Sequence, residues 1–191
     1  MQNEELIRLA LENGAAKAQI IPQSQIIPQS QIVMSPVFRD ICASNSCGNY
    51  GKCWMCPPDV GGIEPMMDAV RKYPYGLWYQ TIAEIEDSFD IEGMTESGFA
   101  HAAVSQKIQK AVLPVLGDGI LHLTCGGCRL CRVCAKRDNQ PCRHPEAALT
   151  SLECCGVDVY HTTKDTDLKY INGTNTVTYF GMVLFGCEND G

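Results

Sequence analysis

Gly119-Ile120-Leu121-His122-Leu123-Thr124-Cys125-Gly126-Gly127-Cys128-Arg129-Leu130-Cys131-Arg132-Val133-Cys134 is the stretch on which the fold turns. Gly119–Thr124 reads as a short strand that delivers the chain into a loop of four cysteines, each two residues from the next. Cys142 follows after seven further residues. Two-residue spacers let successive thiols point at one centre when the backbone curls around it. Thiolates that converge in this way need a metal to offset their charge.

A second knot lies upstream: Cys42-x4-Cys47-x5-Cys53-x2-Cys56, followed at once by Pro57-Pro58. The two knots hold nine of the 12 cysteines in 191 residues. Residues 1–19 carry Glu4, Glu5 and Glu12 and lack the basic-then-apolar order of a secretory signal, so the thiols are expected in the reducing cytoplasm. There, metal or redox roles are favoured over a disulfide framework. Apolar residues make up 45% of the chain, enough for a core that does not depend on metal alone. The net charge of −7, with a pI near 5.0, argues against a nucleic-acid surface and favours a complementary basic partner. No apolar run approaches the length of a membrane span.

Outward from the knots, the chain reads as one domain over residues 1–191, with cluster-binding loops at about 42–58 and 125–156. Asn3 is placed to cap a helix over 4–13 that Gly14 stops. Residues 20–31 are Ile-Ile-Pro-Gln-Ser-Gln twice over, read as a duplicated loop or edge segment because each Pro breaks a strand ladder. Ile32–Met34 is expected as a strand. A short helix follows Gly61-Gly62, with Pro65 in its first turn. Residues 76–86 alternate, with Leu77, Tyr79, Ala83 and Ile85 on one face and Gln80, Glu84 and Glu86 on the other. A long helix over about 96–113 closes at Pro114 and Gly117, and another runs from Pro145 to near Gly156. Val157–Tyr160 and Thr176–Phe185 read as strands. The alternation predicts an α/β fold, or α+β, with a mixed sheet, flanking helices and two cysteine-rich cluster-binding loops.

Cys128, Cys131 and Cys134 have the spacing that supplies three thiolates to a [4Fe–4S] cube from one tight loop. Cys142 is the nearer fourth ligand, while Cys56-Pro57 has the form that closes such a trio across knots. Both wirings stay open, with self-closure preferred. Cys42, Cys47, Cys53 and Cys56 make a second set, with Tyr50 and Trp54 as a water shield. The cofactors read from the spacing are therefore two [4Fe–4S] clusters. Zinc is the alternative, since Cys53-x2-Cys56 and Cys131-x2-Cys134 also make zinc knuckles.

Other residues have plainer readings. Cys187 reads as a buried free thiol. At most one of the adjacent pair Cys154 and Cys155 faces a metal. His144 can ligate iron or sit in a loop turn, and His101, His122 and His161 read as structural. Arg129, Arg132 and Arg143 either offset cluster charge or form a solvated face. Glu153 and Asp158 lack the paired partner that acid–base catalysis needs.

With both knots in view, the chain resembles a family of predicted metal-binding proteins, domain of unknown function 2284. The matching stretches are Cys47-Gly-Asn-Tyr50-Gly51-Lys-Cys-Trp54-Met-Cys56-Pro57-Pro58, Gly127-Cys128-Arg-Leu-Cys131-Arg-Val-Cys134, Pro141-Cys142-Arg143-His144-Pro145 and Ser151-Leu-Glu-Cys-Cys155-Gly156-Val-Asp158-Val. The resemblance implies a small cytoplasmic cluster-binding protein typical of anaerobic bacteria and archaea, with no established reaction. It places Cys53 and Cys125 outside the pattern, and if Cys53 is not a ligand Cys155 becomes a candidate for the fourth place. Cys125 is kept beside it as a further candidate. The resulting expectation is an electron carrier serving a protein redox partner. An iron–sulfur enzyme with an open iron site and a zinc-stabilised binding module are the alternatives; homo-oligomerisation is left open.

Overall fold

The computed structural model describes residues 2–22 and 32–186. Five strands form one mixed sheet: β1 (Lys17–Pro22), β2 (Tyr75–Glu84), β3 (Leu121–Thr124), β4 (Thr150–Ser151) and β5 (Thr176–Phe185), in the order β1-β2-β5-β3-β4. All neighbours are antiparallel except β3 and β4, which run parallel. Five helices surround it: α1 (Gln2–Glu12), α2 (Val37–Ala43), α3 (Ile63–Arg71), α4 (Ile91–Leu116) and α5 (Val159–Lys164). The α/β class with a mixed sheet is thus as the sequence predicts.

The sheet divides the core into two layers. On one face, Leu77, Tyr79, Val183 and Phe185 pack against Leu6 and Ala10 of α1 and Ile108 and Val112 of α4. On the other, Trp78, Phe180, Met182 and Leu184 meet Val70 of α3, Leu152, Val157 and Leu168. Trp78 stacks on Phe180 with ring centroids 4.9 Å apart. β2 is therefore covered on both faces, and Gln80, expected on a solvent face, is fully buried. Alternation fails as a guide when a strand sits in the middle of a two-layer core.

Several other boundaries differ from expectation. Asn3 lies inside α1 rather than capping it. Gly14 does end that turn, with φ +107°, and a Cβ there would stand 3.0 Å from Val104 of α4. β1 takes in Ile20, Ile21 and Pro22 of the duplicated segment; the rest of it, residues 23–31, and Cys187 lie outside the described residues. Ile32–Met34 makes only an isolated bridge, Met34 to Val157, because Val157 turns away into α5. The expected strand at Val157–Tyr160 is instead the start of α5, since Asp158 caps it by accepting from the His161 amide at 3.0 Å. α4 starts earlier than expected because Asp90 caps it through the Gly93 amide, and it runs past Pro114 to Leu116. Gly117, at φ +72°, closes it by donating to Leu113 O. No helix runs from Pro145; that segment holds a turn, β4 and a 3-10 turn at Glu153–Cys155.

Candidate metal centre

The site begins where β3 and β4 end. Because these strands are parallel and adjacent, with the Leu152 amide donating to Thr124 O at 2.9 Å, Cys125 and the 153–155 turn emerge side by side at one end of the sheet. The two segments that carry the second knot and the Cys154-Cys155 pair are thus set together by strand pairing.

From there the second knot folds over the first. Cys128, Cys131, Cys134 and Cys142 share a small cavity of about 20 Å³ with Cys53, and Trp54 and His144 lie along its wall. Amides are aimed at the sulfurs: Cys128 accepts from the backbone of Leu130 and Leu149, and Cys53 from Met55 and Cys128. Amide donors favour the thiolate, and burial opposes it. At Cys128 burial wins and the thiol is pushed up.

A chain of thiol contacts runs through both knots. Cys56 lies between Cys154 and Cys53; Cys53 also meets Cys134, and Cys42 meets Cys154. The neighbouring thiols Cys154 and Cys53, together with burial, push Cys56 up, while Cys53 and Cys154 are themselves held low. Ser151 adds to the lowering at Cys154. Cys42 is pushed up to about 12, by burial first and by Cys154 second. Two sulfurs in the middle of the chain, Cys53 and Cys154, are therefore biased toward the ligating thiolate form.

Polar stitches hold the knots in place. Thr150 Oγ1 donates to Met55 O at 3.0 Å, and Trp54 Nε1 to Gln140 O at 2.9 Å. Lys136 pairs with Asp59 and lies 4.2 Å above the Trp54 ring. Arg39 on α2 donates to Cys154 O at 3.0 Å. Gly127 is closely approached: a Cβ there would stand 2.9 Å from Asn49 Nδ2 and 3.4 Å from Cys56 Sγ.

The candidate residues separate clearly in space. Cys42 and Cys56 meet Cys154 and Cys53 meets Cys56, whereas Cys47 is exposed and opens onto a surface groove beside Cys53, Cys128, Cys131 and Cys134. Cys155 is fully buried in the apolar core beside Leu152, its thiol pushed up to about 12 by burial. Cys125 points to a separate pocket with Glu153 and Tyr179, and burial pushes it up to about 12. Of the adjacent pair, the sequence reading singled out Cys155, and the thiol that faces the knots is Cys154. In a 3-10 turn residues three apart share a side, so Cys155 follows Leu152 into the core. Ser151 likewise sits below Cys154, whose amide it accepts at 3.2 Å.

Two of the histidines, His101 and His122, sit in a buried polar layer of the core. Tyr79 OH lies 2.8 Å from both Ser105 Oγ and His122 Nε2, and His101 Nδ1 lies 2.8 Å from Thr81 Oγ1. His161 pairs with Asp158, which is a cap rather than an acid. Arg129 lies 4.7 Å from the Phe99 ring and donates to Thr95 O, and Arg143 braces Val133 O.

All eleven described cysteines are free thiols, and the donors gathered at this end of the sheet are soft sulfur ligands. Among the described residues, no three His, Cys, Asp or Glu side chains are grouped so as to hold a metal ion. The donor chemistry suits a metal held by thiolates, and a shared metal would draw these neighbouring sulfurs closer about itself. Fold and site together define a cysteine-rich metal-binding protein on an α/β scaffold. The chain belongs to the family of predicted metal-binding proteins, domain of unknown function 2284, whose model matches residues 25–185. No curated protein and no solved structure matches it. Among the described residues, no helix is long and apolar enough to cross a membrane.

Proposed function

We propose that this protein binds two [4Fe–4S] clusters and passes single electrons to or from a protein partner. The observation that carries the reading is the thiol chain Cys42–Cys154–Cys56–Cys53–Cys134, which joins the two knots, next to the set Cys128, Cys131, Cys134 and Cys142 around one small cavity. One cluster is assigned to Cys128, Cys131, Cys134 and Cys142. The other is assigned to Cys42, Cys53, Cys56 and Cys154, with Cys154 taking the place that spacing gave to Cys47. When bound, such clusters supply one-electron redox chemistry.

The chain's own residues prepare this chemistry. Amides of Met55, Cys128, Leu130 and Leu149 donate to thiol sulfurs, and such bonds stabilise added negative charge on a ligating sulfur and raise a cluster's potential. Trp54, held by Gln140 and Lys136, limits water access on one side. The Cys53–Cys134 contact keeps the two ligand sets adjacent, so an electron crosses only a short gap between them. Loading requires the loops to shift so that the sulfurs gather about the cluster. Such movement is open to segments with few buried apolar contacts.

Anaerobic purification followed by iron, sulfide and zinc analysis tests the proposal. The expected result is a brown protein with iron and acid-labile sulfide in equal amounts, bleached by dithionite. Cys154→Ser should lose about half of the iron, and Cys47→Ser should retain it. A colourless protein with zinc and no labile sulfide sinks the reading in favour of the zinc module.

A further inference from the structure

The whole chain is acidic, yet the surface over the thiols is not. A groove of about 300 Å³ runs past Cys53, Cys128, Cys131 and Cys134, and its charged lining residues are Lys52, Arg129, Arg132 and Arg137, with no Asp or Glu. Arg129 is held on α4 by Phe99 and Thr95. Lys52, Arg132 and Arg137 are exposed, and among the described residues none of the three makes an ion pair or a side-chain hydrogen bond. Elsewhere cations do pair: Arg8 with Glu12, Arg71 with Asp68, and Lys136 with Asp59.

We propose that this groove docks an acidic patch on a partner protein, so that the partner is acidic rather than the basic one that the net charge of −7 suggests. The proposal rests on the electron-transfer reading for its purpose, although not for its binding chemistry. Salt screens exposed charges beyond roughly 10 Å, so a docking partner responds to the local patch and hardly to the total charge. Local complementarity steers encounter and fixes orientation. Here it would bring a partner onto the surface directly above four of the thiols. The cations stand on two separate loops around an open groove, an arrangement that suits a row of carboxylates better than one small anion.

The test uses a fluorescent decaglutamate peptide and the purified full-length chain. Binding is expected to weaken at least about tenfold between roughly 20 and 200 mM salt. It should be lost in the triple variant Lys52→Glu, Arg132→Glu, Arg137→Glu and kept in Lys17→Glu on the far edge strand. Equal binding by the triple variant, no binding by the wild type, or displacement by low millimolar inorganic phosphate would each overturn the proposal. A matching metal content and melting curve in the triple variant guard against misfolding; should it misfold, single charge reversals take its place. A second readout follows oxidation of the dithionite-reduced protein by ferricyanide and by hexaamminecobalt(III). Salt is expected to slow the anionic oxidant several-fold and not the cationic one, and the reverse order overturns the docking site. If no reducible chromophore exists, electron transfer falls, while peptide binding still decides whether the groove takes acidic chains.

Discussion

The sheet and the cysteine end of this molecule are stabilised in different ways. In the sheet, β2 and β5 bury most of their residues, and Leu77, Trp78, Tyr79, Met182, Val183 and Leu184 are wholly out of water. Between residues 35 and 62, by contrast, the buried residues are Cys53, Cys56 and Pro57; between 125 and 148 they are Gly127 and Ala135. The sheet and the helices packed on it carry most of the buried apolar side chains. The cysteine end has no such area and relies on sulfur, a few hydrogen bonds and one shielded ion pair. A segment of that kind is ordered by what its thiols bind.

The largest expected effect attacks that dependence. Cys56→Ser removes the thiol at the centre of the chain, so most of the metal should be lost. Amide exchange over 35–62 and 125–148 should then speed up on the order of a thousandfold, while β2 and β5 stay protected. Loss of protection across the sheet as well would show that the two regions form one cooperative unit.

The converse change is Trp78→Ala, expected to cost about 3–5 kcal/mol in urea unfolding by emptying the centre of one core layer. Metal per folded molecule should not change. A fall in that ratio would mean that the sheet shapes the site more directly than the packing suggests.

A smaller effect comes from pH. Burial holds His122 at about 3 and His101 at about 4, against about 6.5 in an unfolded chain. Between those values the unfolded state binds more protons, so this stability is complete above about pH 6.5 and is lost as pH falls toward 4. At pH 5 each histidine should cost about 2 kcal/mol relative to pH 7.5, and His122→Gln should halve the loss in urea titrations. Thiolate protonation also weakens metal binding as pH falls, so the histidine share is the part that His122→Gln removes.

The smallest effect is the sharpest test of the comparison, because it sets neighbours against each other. Cys155→Ala should cost roughly 1 kcal/mol and keep the metal. Cys154→Ser should leave the sheet's melting unchanged and lose metal. Similar outcomes for both variants would break the division drawn between them.

Much of this was legible in the chain. The two-residue spacing of Cys128, Cys131 and Cys134 announces that they line one pocket, because short spacers leave the backbone few ways to separate them. β5 and α3 were readable from local pattern and from Gly and Pro punctuation. The features that escaped depended on neighbours distant in sequence. Gln80 is buried because α1, α4 and the Trp78 layer close both faces of β2. Val157 reads as strand by composition, and the Asp158 cap starts a helix at Val159 instead. Cys154 and Cys155 look equivalent in sequence and part company through the phase of a turn that the β3–β4 pairing sets.

By itself the sequence determined that this is a thiol-rich, metal-binding chain on an α/β framework, since spacing and composition act locally. Only the tertiary structure decided which thiols meet. Contact along residues 42, 154, 56, 53 and 134 depends on a parallel strand pair and on side chains that lock the loops, and these relations have no local signature. The sign of the charge over the site was settled in the same way: total charge adds over the chain, and a docking surface is built only from the residues that folding brings together.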